Sequence, residues 1–575
     1  MKRLLLILFV LTSIVNLAEA KEIHLKVVET SDAHGNFFPV NFTTRQPGRG
    51  SFARVANYVN SLRGNLGDDK VVLLDAGDIL QGQPAVYYYN FVDTTSTHVA
   101  ADVMNYMRFD AVAVGNHDIE AGHDVYDRWT RQCNFPVLGA NVINTKTGRP
   151  YFTPYTIIER QGLKIAVIGM VTPSIPSWVP ESLWSGMKFD DIQRSAEYWV
   201  NLVRNTEKPD IVIGLFHSGL EDRYPSKYVT ENASAAVAQS VAGFDLILMG
   251  HDHQCHCAYH SAPDGTKVLV MNPAANAFAV AEADLKINVE AGKVTAKEIT
   301  GRIVDMADFV PDPNYSNHFA DNVDTVNRFV GKRLGVIDKT ISTDDAYFGS
   351  SAFIDFIHTI QLEAANADIS FAAPLSFDTS IREGEIFMSD LFSLYRYENR
   401  LYTMELSGKE IKDYLEHSYY LWTKTMSSPG DNLIWFKNED PSTHFFQNSF
   451  YNFDSAAGII YTVDVTRPKG EKVNIISMAD GKRFDLTRIY RVAVNSYRGN
   501  GGGGHLTDGA GIWRSMLKRR VVKASERDIR YYIMKYIESR DTISPRPLDQ
   551  WRFVPEDIVT PAIVRNRADL FGTKK

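Results

Sequence analysis

Seven polar residues in the first half of the chain have the types and the spacing of metal ligands. Asp32 and His34 stand two residues apart after an apolar run, and His251 and His253 repeat this spacing. In extended chain, residues two apart point to the same side, so each pair can reach one ion. Each of the remaining three also follows an apolar run, and these are Asp78, Asn116 and His217.

The ligand types predict a pair of divalent cations. Asp78 lies in a Gly-Asp turn and has two carboxylate oxygens, so it can bridge two ions. Asn116 offers a neutral carbonyl oxygen, which limits the charge gathered around the second ion. Mixed imidazole and carboxylate ligands suit Zn, Mn, Co and similar metals better than Ca. A single Asp or His after a strand is more often a cap or a hydrogen-bond partner, but the whole ordered set is specific for metal binding.

The apolar runs before these residues predict a layered α/β domain. Stretches between the runs, such as Phe52 to Leu62 and Val99 to Met107, have helical character. Strands that alternate with helices, and that are apolar along their length, are typical of a sheet covered on both faces. The five runs are Ile23 to Thr30, Val71 to Leu74, Ala111 to Val114, Ile211 to Phe216 and Leu246 to Met249. Since ligands gather beyond the carboxyl ends of such strands, we expect one site built from five loops.

The length of 575 residues favours at least two domains. We expect the metal domain to span residues 21–312, because two prolines and two aspartates between Asp308 and Pro313 mark its exit. A linker helix is predicted over 313–337, and a second α/β domain over 338–555. Residues 556–575 are interpreted as a tail.

The first 20 residues predict export. A Met-Lys-Arg start, an apolar run from Leu4 to Leu17 and an Ala18-Glu19-Ala20 exit are typical of a secretory signal peptide. The run is shorter than the roughly 20 residues of a spanning helix, although a single membrane anchor is the alternative. We expect cleavage after Ala20, no stable membrane span afterwards, and a periplasmic, cell-surface or extracellular location.

The charge of the chain argues against a polymeric nucleic acid as partner. The formal net charge is -8, whereas a general nucleic-acid binder usually has a basic surplus. A small nucleotide could still bind through metals and a few arginines. We therefore expect a small-molecule substrate, and we expect the protein to be a monomer.

The order D-x-H, G-D, G-N-H, H and G-H-x-H, each after an apolar strand, resembles the calcineurin-like metallophosphoesterases. The resemblance implies a four-layer α/β/β/α domain with two metal ions. It assigns Asp32, His34, Asp78 and His253 to one ion, and Asp78, Asn116, His217 and His251 to the other. The family often has Gln where His253 stands, and His is a competent replacement.

His117 is the predicted catalytic residue. It stands beside Asn116, where it can supply a proton to the leaving oxygen during attack by a metal-activated water. It resembles a catalytic histidine of the exported nucleotidases that is paired with an Asp three positions later. Glu120 occupies that position here, so the carboxylate is kept on a longer arm. The alternative is a structural loop histidine.

The second half of the chain resembles the exported nucleotidases, and within them the 2′,3′-cyclic-nucleotide 2′-phosphodiesterase/3′-nucleotidases. The discriminating segments are Tyr451-Asn452-Phe453-Asp454 and Asn495-Ser496-Tyr497-Arg498 with the glycine run that follows. The resemblance implies an α/β substrate-binding domain in which Tyr451 and Tyr497 sandwich the nucleobase. Ordinary packing is the alternative for both tyrosines.

The expected function is hydrolysis of 2′,3′-cyclic nucleotides and 3′-nucleotides outside the cytoplasm. A 5′-nucleotidase/UDP-sugar hydrolase is the alternative, because the two groups share both domains. The 5′-nucleotidases usually have an Asn-Gly-Gly-x-x-Arg segment, and the corresponding stretch here, Ala373 to Asp378, has no arginine. A non-catalytic nucleotide-binding protein is the remote alternative.

Overall fold

The computed structural model describes residues 20–222, 229–438 and 445–572. Residues 1–19 of the predicted signal peptide lie outside the described residues. Within the described ranges, we find no helix with the length and apolarity that crossing a membrane requires.

The metal domain contains two six-stranded sheets that face one another. In the first sheet, β1 (Lys21–Thr30), β2 (Val71–Asp75) and β3 (Ala111–Ala113) are adjacent and parallel. In the second sheet, β4 (Ile211–His217) and β5 (Leu246–Met249) are adjacent and parallel. The other strands are Lys293–Asp305, Ala279–Glu290, Val137–Leu138, Cys255–Ser261, Lys267–Pro273, Leu163–Val171 and Tyr155–Arg160.

Helices cover the outer face of each sheet, so the domain has four layers. Alternate residues of β1, such as Leu25 and Val27, meet Ile213 of β4 and Leu248 of β5 in a dry layer between the sheets. The residues of β1 that point to the other side of the sheet, such as Val28, face the outer helices. These helices are Phe52–Leu66, α1 (Pro84–Phe91), Val99–Met107 and His123–Gln132 on one side, and Ile192–Thr206 and Ser234–Ser240 on the other. The predicted α/β/β/α order is confirmed.

The second domain is also α/β. Its central sheet has five strands: Ser455–Ala457, Ile369–Ala372, Ile489–Asn495, Arg400–Ser407 and Val521–Asp528. The domain also contains two three-stranded sheets, and their strands are Gly384–Phe387, Arg333–Ile337, Thr542–Ile543, Val473–Met478, Ile459–Asp464 and Trp551–Val554. The principal helices are Ala352–Ala365, Met388–Leu394, Gly408–Trp422, Arg514–Arg520, α2 (Ile529–Arg540) and Glu556–Phe571.

The two ends of the second domain differ from the sequence-based expectation. The linker region forms two helices, Pro313–His318 and Ala320–Val330, and then the strand Arg333–Ile337, which pairs within a sheet. The segment interpreted as a tail forms the helix Glu556–Phe571, whose Val559 and Ala562 are buried in the second-domain core. Both segments gain their structure from long-range pairing and burial, which local sequence patterns do not reveal.

Candidate metal centre

The seven predicted ligands lie together at the carboxyl ends of β1 to β5. Because β1 to β3 run parallel in the first sheet, and β4 and β5 run parallel in the second, their carboxyl ends carry the loops of the site. The side chains of Asp32, Asp78 and His217 are almost completely buried there, whereas His253 is exposed. The fold thus collects residues that are up to 221 positions apart in the chain.

Asp32, His34 and His253 form one compact group. Their nearest ligand atoms all lie within 4.8 Å of one another. His253 Nε2 is 3.1 Å from Asp32 Oδ1 and 3.1 Å from His34 Nε2. Two imidazole nitrogens and a carboxylate oxygen therefore face one small volume.

Asp78, His217 and His251 form a second group, which also fits within 4.8 Å. His217 Nε2 is 3.2 Å from Asp78 Oδ2 and 3.0 Å from Asn116 Oδ1. The Ala76 carbonyl lies 2.7 Å from His217 Nδ1, so Nε2 is the nitrogen that faces the group. Each group contains three of the four residues predicted for its ion. Asp78 lies in the second group, and Asn116 approaches that group through His217.

The backbone at these positions is unusual. Five of the seven residues are non-glycine residues with positive φ: Asp32 and His34 at 48°, Asp78 at 62°, His251 at 80° and His253 at 56°. Such conformations cost free energy for residues with a Cβ and concentrate at functional sites. The chain thus holds these side chains in position at the expense of local backbone stability.

Glycines precede three of the ligands because the chain segments touch there. A Cβ on Gly115 would collide with Asp78, and one on Gly250 would collide with Ser31 and Asp32. The glycines of the G-N-H and G-H-x-H segments therefore allow the loops of neighbouring strands to pack against each other.

Asp118 organises the Asp78 loop, and Asp118 is not among the residues predicted from the sequence. Its carboxylate accepts hydrogen bonds from the backbone N–H groups of Gly115, Asp78, Ile79 and Leu80 at 2.7–3.1 Å. It is fully buried. The available signal was an Asp in the first turn of the short helix Asn116–Glu120, a position that favours acceptors for free N–H groups.

Charge interactions set protonation states that largely suit cation binding. Burial raises the pKa of Asp78, but His217 and His117 outweigh it, so the pKa falls well below its usual value. Burial and His253 lower the pKa of His34 to about 3. Burial lowers the pKa of His217, but Asp78 outweighs it and raises the pKa to about 10. A cation would meet an ionised carboxylate and a neutral His34, and would displace a proton from His217.

His117 and Glu120 form the predicted pair. The ring nitrogen Nδ1 of His117 is 2.5 Å from Glu120 Oε2. The backbone N–H of His117 donates to Asp78 Oδ1 at 2.8 Å. Burial lowers the pKa of His117, but Asp78 and Glu120 outweigh it and raise the pKa to about 9. The longer glutamate arm therefore reaches the imidazole.

Aromatic residues of the second domain lie against this edge of the metal domain. The Tyr397 ring is nearly parallel to the His117 ring, at 11° and 6.4 Å between centroids. Burial and then the neighbouring Tyr451 raise the pKa of Tyr497. Tyr451 also contributes to the raised pKa of Tyr397, which is mainly due to burial. Tyr397 and Tyr451 pack against the same buried cluster of the second domain, and sequence patterns did not reveal Tyr397.

Arg498 connects the two discriminating segments of the second domain, residues 451–454 and 495–498. It is fully buried and forms a two-pronged ion pair with Asp454, with Nε–Oδ2 at 3.0 Å and Nη2–Oδ1 at 2.9 Å. It also donates to Asn452 Oδ1 at 2.8 Å and to the Tyr451 carbonyl at 2.6 Å. A single guanidinium therefore fixes the Tyr451 segment beside Tyr497.

The glycine run packs against the same side chains. A Cβ on Gly502 would meet the Tyr497 ring at 2.5 Å, and one on Gly503 would collide with Arg498. Gly501, Gly503 and Gly504 also have positive φ. The run is thus required for packing around Tyr497 and Arg498.

Trp178 and Glu231 contact His251 and were not identified from the sequence. The Trp178 ring stacks on the His251 ring at 5.7 Å and 27°. Glu231 Oε1 lies 3.0 Å from His251 Nε2, and its side chain is 41% exposed. Neither residue follows a strand of the site, so no local pattern marked them.

The residues of the centre fit a pair of divalent cations. Imidazole nitrogens of the two groups lie 3.1 Å from an Asp32 oxygen and 3.2 Å from an Asp78 oxygen, and Asp78 lies between His117 and His217. This donor set suits Zn, Mn or Co. Strained backbone at five ligand positions is a further sign of a functional centre.

Two family models match the chain in the regions just described. Residues 25–255 match the calcineurin-like phosphoesterase model, and residues 332–508 match the 5′-nucleotidase C-terminal domain model. The first match includes all seven candidate ligands, and the second includes Tyr397, Tyr451 and Tyr497.

Curated relatives are similar over nearly the whole chain. The trifunctional nucleotide phosphoesterase protein YfkN of Bacillus subtilis is 27% identical over 93% of this chain, which spans 39% of that relative's length. The 2′,3′-cyclic-nucleotide 2′-phosphodiesterase/3′-nucleotidase of Yersinia enterocolitica is 25% identical over 95% of this chain and 91% of its own.

A solved structure has the same fold. The protein is from Staphylococcus aureus and is described as a 5′-nucleotidase in complex with alpha-ketoglutarate. It matches with a TM-score of 0.75 and 22% identity, over 92% of this chain and 99% of its own. The chain therefore combines a calcineurin-like phosphoesterase domain with a 5′-nucleotidase C-terminal domain that follows it.

Proposed function

We propose that this protein is an exported dinuclear-metal phosphoesterase that hydrolyses 2′,3′-cyclic nucleotides and 3′-nucleotides. One observation carries the proposal: His117 lies beside a ligand of the metal groups, with its ring 5.5 Å from that of His34, and it stacks on Tyr397 of the second domain. A site of this kind can hold a phosphate ester at its metal side and a flat base at its aromatic side. The Yersinia enterocolitica relative, a 2′,3′-cyclic-nucleotide 2′-phosphodiesterase/3′-nucleotidase, supports this substrate class.

The ligand groups would hold the cations that the phosphoesterase family uses. When bound, two divalent cations neutralise phosphate oxygens and activate water for in-line attack. Asp32, His34 and His253 would hold one cation, and Asp78, Asn116, His217 and His251 the other, with Asp78 as the bridge. Asp118 keeps the Asp78 loop in place through four backbone N–H groups.

His117 would donate a proton to the leaving oxygen. Glu120 holds Nδ1, so Nε2 is the ring nitrogen that can reach the substrate. The raised pKa keeps the ring protonated at neutral pH, which is the form that a general acid needs.

Tyr397, Tyr451 and Tyr497 would bind the nucleobase. Stacking of a base on an aromatic ring contributes about 1–3 kcal/mol and tolerates different bases. Arg498 stabilises this arrangement because it holds the Tyr451 backbone and packs on Tyr497, with its guanidinium carbon 5.2 Å from the ring centroid. The sequence-based pair Tyr451 and Tyr497 thus gains Tyr397 as a candidate partner.

A direct assay tests the proposal. Residues 21–575 would be purified, loaded with Mn²⁺ or Co²⁺ and given 2′,3′-cyclic AMP, 3′-AMP, 5′-AMP and UDP-glucose. We expect turnover of the first two and a loss of about 100-fold or more in His217→Ala, because ligand removal disrupts the cation pair. His24→Ala, at an exposed position of β1, is the matched control. Absence of turnover on every substrate would refute the proposal.

The 5′-nucleotidase/UDP-sugar hydrolase alternative predicts the reverse preference. A higher kcat/KM on 5′-AMP or UDP-glucose than on 3′-AMP would favour it. Full activity of His217→Ala would instead exclude the metal mechanism. Tight binding of nucleotide without turnover would favour a non-catalytic role.

Export is tested separately. We expect the mature N-terminus at Lys21 and the protein outside the cytoplasm. N-terminal sequencing of the protein from its native cells, together with cell fractionation, checks both points. Recovery of an uncleaved chain in the membrane fraction would support the anchor alternative.

A further inference from the structure

Arg530 is a fully buried arginine in the second domain whose donors converge on the segment that carries Tyr397. Its Nε donates to the Tyr395 carbonyl at 3.1 Å, and Nη2 donates to the Arg396 carbonyl at 2.7 Å. Nη1 donates to Glu398 Oε1 at 2.9 Å. Three donors of one guanidinium therefore hold both sides of Tyr397.

The same guanidinium contacts the metal domain. Its central carbon lies 4.9 Å from the ring centroid of Tyr87 and 4.1 Å from that of Phe392. Tyr87 belongs to α1, which begins at Pro84, six residues after Asp78. Its ring packs against a core cluster of the second domain. Arg530 thus lies between the helix that follows the Asp78 loop and the segment that faces His117.

The start of α2 fixes the position of Arg530. Asp528 caps the helix, because its Oδ1 accepts the Tyr531 N–H at 2.7 Å. The Ile529 N–H donates to the Asn399 carbonyl at 2.8 Å. The first turn of α2 is therefore tied to residue 399, which follows the 395–398 segment that the Arg530 side chain contacts.

We propose that Arg530 is a positioning residue that holds Tyr397 in its base-binding place against the metal domain. The role needs arginine, because a planar fork can donate in three directions whereas a lysine ammonium is a compact point charge. Burying the charge is tolerated because Glu398 pairs with it and two carbonyls take its other donors. A test by nucleotide hydrolysis rests on the proposed function. A test by nucleoside binding does not require turnover.

Arg530→Lys tests the proposal with adenosine as the probe. Arg63→Lys is the matched control, since Arg63 is also buried and donates to two carbonyls, those of Met107 and Arg108, at 2.7 and 3.0 Å. We expect the Kd for adenosine, measured by calorimetry, to rise about tenfold in Arg530→Lys, which is the size expected when one stacking contact is lost. We expect Arg63→Lys to bind adenosine like the parent protein.

A comparison of the kinetic constants for two substrates distinguishes a positioning role of Arg530 from a loss of folding. In Arg530→Lys we expect the KM for 3′-AMP to rise about tenfold, while kcat/KM for glycerol 2-phosphate, which has no ring to stack, stays within about twofold. Tyr87→Leu removes the ring on the other face and should shift adenosine affinity in the same direction by about threefold. An equal fall for both esters, or unchanged adenosine affinity in both variants, would overturn the proposal.

The nucleoside experiment also separates this inference from the proposed function. If the parent protein binds adenosine but hydrolyses no nucleotide, the proposed function is refuted. The change in adenosine affinity in Arg530→Lys still tests the positioning role of Arg530. If the parent protein does not bind adenosine, the role of Tyr397, and with it that of Arg530, is refuted.

Discussion

At the scale of single residues, the centre depends on side chains that support the ligands as much as on the ligands. Asp118 is the clearest example, because one buried carboxylate accepts four backbone N–H groups of two loops. A carboxylate offers enough lone pairs for this, whereas an amide offers a single oxygen. The position of Asp78 thus depends on a residue that touches neither substrate nor metal in the proposed mechanism.

Asp118→Asn should therefore weaken metal binding without unfolding the protein. We expect kcat/KM and metal affinity to fall about 10–100-fold, as is usual for groups that orient ligands. Metal content by mass spectrometry and kinetics at saturating Mn²⁺ measure the two effects. Asp93→Asn is the control, since Asp93 also accepts backbone N–H groups, but in an exposed turn. A parent-like metal affinity in Asp118→Asn would contradict the assigned role.

Two buried histidines predict how stability depends on pH. Burial lowers the pKa of His98 and of His358 to about 3, from 6.5 for the ordinary side chain. His358 contacts the hydroxyls of Ser370 and Ser455 at 3.0 and 3.1 Å. The unfolded chain binds a proton below about pH 6.5 while the folded protein does not, so stability is lost as the pH falls from 6.5 towards 3.

The expected slope from one such histidine is about 1.4 kcal/mol per pH unit in that window. His358→Asn should remove it from the second domain. Urea unfolding between pH 4.5 and 7.5 measures the change, with the exposed His24→Asn as control. An unchanged pH dependence in His358→Asn would show that other groups dominate.

At the scale of elements, the helix Glu556–Phe571 completes the second-domain core. Asn566 is fully buried on it, and its Oδ1 accepts the N–H groups of Leu433 and Ile434 at 2.9 and 3.2 Å. These contacts span 133 and 132 residues. The helix is therefore an integral layer of the domain.

Asn566→Ala should destabilise the second domain by about 1–3 kcal/mol, because two buried N–H groups lose their acceptor. Thermal unfolding of the variant checks this. Val564→Ala lies on the same helix with 67% exposure, so we expect little change there. Equal stability of the two variants would mean that the helix contributes little to the core.

The difference between what the sequence predicts and what it misses has a physical cause. Asp32, Asp78 and His217 follow apolar strands, and parallel strands necessarily bring their ends to one edge. Tyr397, Trp178 and Arg530 gain their places only through contacts between distant segments. No periodicity or short motif records such contacts, so the layers and ligands were predictable and the supporting residues were not.

At the scale of the whole molecule, the two domains have separate cores. Three buried clusters belong to the metal domain and its linker, and two belong to the second domain. Between the domains, Asn500 Nδ2 donates to the Trp178 carbonyl at 3.2 Å, and Arg400 donates to Ser182 Oγ at 3.4 Å. Since cations would bind only the first domain, metal should stabilise the two domains unequally.

Removal of metal tests this inequality. We expect EDTA to lower the melting temperature of the transition that involves the metal domain and to leave that of the second domain nearly unchanged. Ligand at 100 times its Kd contributes about 2.7 kcal/mol of stability. Calorimetry with and without Mn²⁺ measures both transitions, and His217→Ala should abolish the response. A single transition that shifts as a whole would contradict the independence of the cores.

The left-handed backbone at the ligand positions also limits which amino acids can replace them during evolution. A residue with φ near 50° tolerates Asn, Asp or Gly and disfavours Val or Ile, whatever the cation requires. A library of all substitutions at His34, selected only for soluble expression, should therefore retain Asn, Asp and Gly and lose the β-branched residues. Conformation alone would thus narrow the accessible variants before any selection for catalysis acts.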